Sequence, residues 1–434
     1  MGSDNFEKLR KWITRHGGYV YPHLKVVSSK IGDTIQHSVY ATNTIPEKTE
    51  ILRVPKICKF GGDLIYEIPD IEQWINIDCN NFIKNNFYFK IVIALIYHKS
   101  IGKKSFYYPY IKNLPRSIDF KEHPIYNYSE DMLEEWFKCS PTFTEEFQKL
   151  MVKFTKLNGF IKEAMGTYPI IDLSKFGDSP NVLESLIKWA FVIFLTRAWQ
   201  EHGCIPFADL FNHQSTSLTT FHHHDDSQRE GMSAITVRSV YEQGDEIYNH
   251  YGQYDNKSLY MTYGFWTNEP IKYMKFKVNF NPTTPLSAYV EQVLKKENIP
   301  KDKILLTSRA PSGLLIKYLR ITSISDVDIL RVSGKTNIGD KPISATNEII
   351  AYKNLLKLIN GLRIKEYSTE RFNDCTMLSQ TSDNIITKNL TKIIISEYEV
   401  VKNCVIWVHA NWIAKLETPM LNDIINFITT IDIA

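Results

Sequence analysis

The stretch Cys204-Ile205-Pro206-Phe207-Ala208-Asp209-Leu210-Phe211-Asn212-His213 sets Asp209, Asn212 and His213 into an otherwise apolar run. Apolar neighbours imply burial, and buried polar groups need partners. About 40 residues later comes Gly244-Asp245-Glu246-Ile247-Tyr248-Asn249-His250-Tyr251-Gly252-Gln253-Tyr254-Asp255-Asn256, followed by Leu259-Tyr260-Met261-Thr262-Tyr263-Gly264-Phe265-Trp266. Taken singly, each has a bland reading: Asn-His as a turn, Tyr-Gly as a strand end, the aromatic run as a core face. Their order within one chain is the informative observation.

Short strands surround these stretches. Ala234-Ile235-Thr236-Val237-Arg238 and residues 244–248 read as strands, and residues 274–280 alternate strictly, as a half-exposed strand does. Nearer the N-terminus, residues 5–16 read as a short helix. Residues 38–42 and 51–54 read as strands between the turn signals Gly17-Gly18, Gly32-Asp33 and Pro46-Glu47. From about residue 70 to 200 the spacing turns helical, notably over residues 87–98 and 131–156. Residues 181–200 are apolar nearly all round, which predicts a central, dry helix. After Asn281-Pro282-Thr283-Thr284-Pro285 the chain is helical again, at 344–364 and 383–415, which marks a boundary near residue 281.

Composition narrows the function classes. The chain has 434 residues, 43% of them apolar, which at a soft prior of about 150 residues per domain corresponds to roughly two or three domains. Lys+Arg 51 against Asp+Glu 48 leaves +3, which argues against a protein whose main work is neutralising phosphate backbones or anionic lipid. Cys58, Cys79, Cys139, Cys204, Cys375 and Cys404 are widely spaced, with no Cys-x-x-Cys pair, which reads as a reducing compartment without structural zinc. Residues 1–8 lack the apolar core of a signal peptide, and Phe6 stands where a myristoylation motif needs Ser or Thr, so no export is expected. The longest apolar run, residues 189–196, is well short of the ~20 residues a bilayer requires. Phe221-His222-His223-His224-Asp225-Asp226 looks like a metal cluster, but consecutive strand residues alternate faces and the polar flanks read as a hairpin tip, so no metal is expected. The 24 Tyr and 23 Phe are not interleaved with a basic groove, as single-stranded nucleic-acid binding requires, and are assigned to the core.

Together, the Asn-His element, the Gly-Asp-Glu-Ile run leading to Tyr251-Gly252 and Asn256, and Tyr263-Gly264-Phe265 resemble the SET-domain protein lysine methyltransferases, in the subgroup typified by the Rubisco large-subunit methyltransferase. Lys104-Ser105-Phe106-Tyr107-Tyr108-Pro109-Tyr110-Ile111 with Leu114-Pro115, the Thr196-Arg197 helix ending and the helical region after residue 281 match the same subgroup. The resemblance implies an α+β chain: a SET domain of small β-sheets over residues 1–280, interrupted by a helical insert at about 70–185, then an all-α substrate-binding domain over 281–434. It implies transfer of a methyl group from S-adenosylmethionine to a lysine ε-amine of another protein, of the ribosomal or translation class. A monomer is expected, cytoplasmic with a nuclear pool, without metal, direct nucleic-acid contact or membrane.

Position by position, the resemblance makes Tyr251 the catalytic residue and gives cofactor contacts to His37, Arg197, Asn212, His213, Tyr251 and Phe265. Arg197 would offer its guanidinium to the cofactor carboxylate, and Phe265 an aromatic wall to adenine. Ala208, Asp209 and Tyr263 would line the acceptor side. The chemistry suits these residue types: a lysine ammonium, with an ordinary pKa of about 10.4, must lose its proton and be aimed, and a tyrosine hydroxyl can orient the amine. Ala208 stands where the actin histidine methyltransferase of the subgroup carries a bulky Trp, which favours lysine over histidine. One departure is plain: where the subgroup has a Gly-x-Gly turn, this chain has Ile35-Gln36-His37-Ser38-Val39. Asp255 also stands where Ser is common. Two alternatives stay open, a catalytically inactive SET-fold binding module and a protein-histidine methyltransferase.

Overall fold

The computed structural model describes residues 2–412 apart from 178, 226–229, 253, 268–272, 277–285, 300–303 and 308–309. Two units result. The first comprises Met1–Asn127, Gln148–Gln253 and Thr262–Gly264, and the second Tyr128–Phe147, Tyr254–Met261 and Phe265–Ala434. The expected boundary near residue 281 lies outside the described residues.

In the first unit, short apolar runs between turns form β1 (Tyr19–Val20), β2 (Leu24–Ile31), β3 (Thr34–Ala41), β4 (Glu50–Val54), β5 (Thr219–His224) and β6 (Met232–Val237). An antiparallel sheet has the order β1-β4-β6-β5, and β2 pairs with β3 alone. The pairing of β4 with β6 joins strands from either side of the helical insert, so sheet brackets helix as the sequence predicts. Ile51, Leu52 and Val54 of β4 and Ala234, Ile235 and Val237 of β6 are buried together in the core.

Two apolar helices anchor the insert. Phe87–Ile101 and Val182–Arg197 each bury long consecutive runs, including Ile91 to Ile96 and Trp189 to Ile193, as expected of helices with no polar face. Their rings meet, Phe87 with Phe194 at 6.5 Å and Tyr88 with Phe191 at 6.4 Å between centroids. The second helix stops at Arg197 because Ala198 turns extended and bridges Cys204. The return turn needs Gly203, whose φ is +73° and whose place for a Cβ is filled by the Phe60 carbonyl.

Three local expectations are corrected. Residues 131–156 form two helices, Glu130–Cys139 and Pro141–Thr167, because Ser140 is extended and Pro141 cannot continue the preceding helix. Residues 244–248 are not a regular strand. Gly244, at φ +94°, makes a turn, after which Asp245 and Ile247 bond to Ala41 and Val39 along the edge of β3. The His222-His223-His224 run lies within β5 rather than at a hairpin tip, with His222 Nε2 2.7 Å from Thr236 Oγ1 on β6. The β-favouring Thr219-Thr220-Phe221 carries the strand through it.

The second unit is mainly helical: Ser287–Lys296, Gly313–Thr322, Asp326–Val332, Ala345–Lys365, Thr369–Thr381 and Ile385–Trp412. Residues 413–415 of the expected last helix, and 277–280 of the expected strand, lie outside the described residues. A two-stranded ribbon, β7 (Tyr273–Phe276) with β8 (Ile304–Thr307), joins the helices. Its interior holds charge: Lys257 Nζ lies 3.0 Å from Glu397 Oε2 and 3.4 Å from Glu366 Oε1, with both carboxylates buried.

Candidate active site

The two quoted stretches, far apart in sequence, are stitched backbone to backbone in the first unit. Asn249 N–H donates to the Asn212 carbonyl at 2.8 Å and Gln214 N–H to the Asn249 carbonyl at 3.0 Å, making a parallel bridge between His213 and Asn249. Beyond the bridge, Tyr251 N–H donates to His213 Nδ1 at 3.2 Å, which places the imidazole proton of a neutral His213 on Nε2. The Tyr251 hydroxyl donates to the Phe211 carbonyl at 2.9 Å. Residues 211–213 therefore grip Tyr251 at its backbone and at its phenol. The ring of Tyr263 packs beside it, 4.9 Å between centroids at 39°.

Asp209 occupies the turn Ala208–Leu210, entered through Phe207 at φ +71°. A bulky side chain held in the left-handed region costs about 1–3 kcal/mol, and here the buried Phe207 and Ala208 hold it there. Arg197 Nη1 meets the Asp209 side chain at 3.2 Å and its carbonyl at 2.8 Å, and the Tyr110 hydroxyl donates to the same carboxylate oxygen at 2.8 Å. Burial pushes the Asp209 carboxyl above its ordinary range, against the pull of Arg197 and Tyr110. Burial also opposes the Arg197 charge, but Asp209, then Tyr110 and Tyr251, outweigh it and hold the guanidinium protonated. Arg197 Nε is buried and meets no acceptor among the described residues. Burial pushes Tyr251 up to about 12, with Arg197 opposing and Asp209 and Glu246 reinforcing, so this phenol is neutral across the physiological range.

Asn212 is fixed by its amide. Nδ2 shares its two hydrogens among Glu246 Oε1 at 2.7 Å, Ser38 Oγ at 3.0 Å and the His37 carbonyl at 3.1 Å, and Glu246 in turn accepts from Tyr248 at 2.9 Å. The stretch Ile35 to Val39, where glycines are missing, is therefore regular β3 strand, and Ser38 and His37 from it hold Asn212. His37 takes part through its carbonyl: its imidazole Nδ1 lies 2.9 Å from Ser28 Oγ and its ring meets Phe6 edge-on. Burial, reinforced by Arg197, pushes that imidazole down to about 4, so it is neutral.

Of the residues singled out from sequence, His37, Arg197, Ala208, Asp209, Asn212, His213, Tyr251 and Tyr263 all fall in the first unit, and Phe265 falls in the second. Two polar residues carry no role in the sequence reading: Glu246, which orients Asn212, and Tyr110, which holds Asp209. Both lie in the quoted motifs, and a carboxylate next to the apolar Ile247 is the available signal for Glu246.

A β-sheet split by a helical insert, with an Asn-His segment stitched to a Tyr-Gly segment, has the arrangement of the SET fold. The same fold is seen in the SET domain of LSMT bound to lysine and AdoHcy, at a TM-score of 0.58 and 16% identity, covering 97% of this chain and 95% of that one. Rubisco LSMT bound to sinefungin and monomethyllysine gives 0.57 at 17% identity, covering 97% and 96%. No family model matches the chain. By sequence it is similar to the actin-histidine N-methyltransferase of Rattus norvegicus, 23% identical over 342 residues, which is 72% of this chain and 54% of that protein. SET domain-containing protein 4 of Artemia parthenogenetica is 27% identical over 230 residues, 48% of this chain and 51% of that protein. The chain spans about half the length of these curated relatives.

Proposed function

We propose that this chain is an S-adenosylmethionine-dependent protein methyltransferase acting on a lysine ε-amine of another protein. The observation that carries the reading is the Tyr251 phenol, clamped by residues 211–213, with the largely buried Arg197–Asp209 pair and the Glu246-fixed Asn212 in the same unit. A binding module has no need of that set. The residues fit the cofactor: the buried Arg197 Nε without an acceptor suits a carboxylate, and Asn212 and His213 supply oriented polar groups beside it. When bound, S-adenosylmethionine supplies an electrophilic methyl group.

The chain's own part is orientation. A phenol held near 12 is a poor base at pH 7, so Tyr251 acts as a neutral hydrogen-bonding group that positions the amine, and the substrate proton leaves to water. Tyr263 lines the same side. Ala208 before Asp209 is small where the actin histidine methyltransferase carries a bulky Trp, which supports a slim alkyl amine, lysine, as the acceptor. Relatives named as actin-histidine N-methyltransferases favour a second reading, an imidazole acceptor. In the proposed assignment residues 281–434 form the substrate-binding domain, Phe265 walls the adenine, the protein is a cytoplasmic and nuclear monomer, and the target is a ribosomal or translation protein.

Labelled S-adenosylmethionine, the purified chain and the proteome of cells lacking it, followed by acid hydrolysis, test both readings. Labelled methyl-lysine supports the first, and labelled methyl-histidine transfers the assignment to the second. No label in protein and no heat on titration with millimolar S-adenosylmethionine leave a SET-fold binding module.

A further inference from the structure

Away from Tyr251, the helix Phe87–Ile101 ends in a cation that methyl transfer does not use. Lys99 lies over the indole of Trp189, with Nζ 3.6 Å from the ring centroid. Trp189 is buried and fixed, its Nε1–H donating to the Pro115 carbonyl at 2.7 Å. Among the described residues no carboxylate pairs with Lys99, and burial pushes its ammonium down to about 8.

Lys99 is not alone. It lines a cavity of about 390 Å³ together with Lys112, Arg116, Tyr108 and Leu114. Arg116 gives Nε and Nη2 to Asp119, and among the described residues that line the cavity there is no carboxylate, so cations outnumber anions around it. The volume falls within the roughly 300–1,000 Å³ of small-molecule sites. Surface lysines usually extend into water, where their charge is cheapest. Lys99 instead folds onto the Trp189 indole, a position that an anionic partner would stabilise strongly.

We propose that this cavity is a binding site for a small phosphate monoester with an apolar or aromatic body, the phosphate accepting from Lys99, Lys112 and Arg116 and the body resting against Tyr108 and Leu114. Phosphate oxygens suit the three donors, and the apolar wall distinguishes a monoester from the bare ion. The site is independent of the methyltransferase reading.

The test uses the full chain and calorimetric titration with phenyl phosphate and, separately, inorganic phosphate. Phenyl phosphate is expected to bind more tightly than inorganic phosphate, and Lys99→Met is expected to weaken it at least about tenfold, the scale of one charge-assisted contact. Because burial disfavours the Lys99 charge, Lys99→Met is expected to melt no lower than the parent, which a thermal scan verifies. Lys112→Gln, at an exposed position, provides a second variant with the same expected direction and no folding risk. No heat with phenyl phosphate at about 10 mM, equal affinity for the two ligands, or unchanged affinity in both variants would overturn the proposal.

Discussion

Replacing Tyr251 by Phe removes one oxygen and nothing else, so its effects can be separated. The lost hydroxyl donates to the carbonyl of fully buried Phe211 at 2.9 Å. Leaving that acceptor without its donor costs about 1–3 kcal/mol of stability, a drop in melting temperature of a few degrees. In the proposed reaction the same hydroxyl would be a pre-positioned hydrogen-bonding group, and removing such a group costs about 10²–10³ in turnover. Cofactor affinity is expected to stay within a few-fold, because Arg197, Asn212 and His213 are untouched. The assay is initial-rate methyl transfer from pH 6.5 to 9.5, beside calorimetry with S-adenosylmethionine and a thermal scan. Since burial holds Tyr251 near 12, the rise of rate with pH belongs to the substrate amine and is expected to persist in the variant at a lower plateau. An unchanged plateau would refute a role for the hydroxyl, and loss of the rising limb would refute the claim that the phenol stays neutral.

Glu246→Ala takes away the charged acceptor that turns Asn212, and S-adenosylmethionine is expected to bind about 10–100-fold more weakly by calorimetry, with an unchanged constant counting against Asn212 as a cofactor contact. His123 is buried neutral, receiving Ile125 N–H at Nδ1 and lying 3.2 Å from the Thr262 carbonyl at Nε2, and burial pushes it down to about 4. Its folded value lies below the ordinary ~6.5, so its contribution is complete above pH 6.5 and lost as pH falls through 4, up to about 3 kcal/mol. Urea unfolding at pH 7 and pH 5 is expected to show that loss, reduced in His123→Gln; parallel curves for parent and variant would remove His123 from the account. Gly203→Ala is expected to destabilise by more than about 2 kcal/mol in the same assay, since φ +73° and the Phe60 carbonyl both exclude a Cβ; an equal midpoint would mean that the turn relaxes freely.

Period and punctuation make much of the fold legible. The apolar runs at 87–98 and 181–200 mark the two dry helices, because a helix with no polar face has only one place to go. The break at Ser140-Pro141 escapes a reading by period although Pro141 signals it, since apolar spacing continues across it. The strand expected at 244–248 fails because Gly244 and neighbouring polar residues favour a turn, and only tertiary bonding to β3 lends the segment extended character. In the site, Asn212, His213 and Tyr251 stand out as polar groups in apolar surroundings. The three-way sharing of the Asn212 amide does not, because hydrogen bonds across 34 and 174 residues leave no local pattern.

That distance along the chain has a kinetic consequence. Tyr110, Arg197, Asp209, Asn212 and Tyr251 come from segments that meet only after the helical insert and the sheet have both closed, and closures of this span are slow and late. A nascent or partly refolded chain thus carries every required side chain without assembling the constellation. Under the proposed function, ligand capture would then report the last step of maturation.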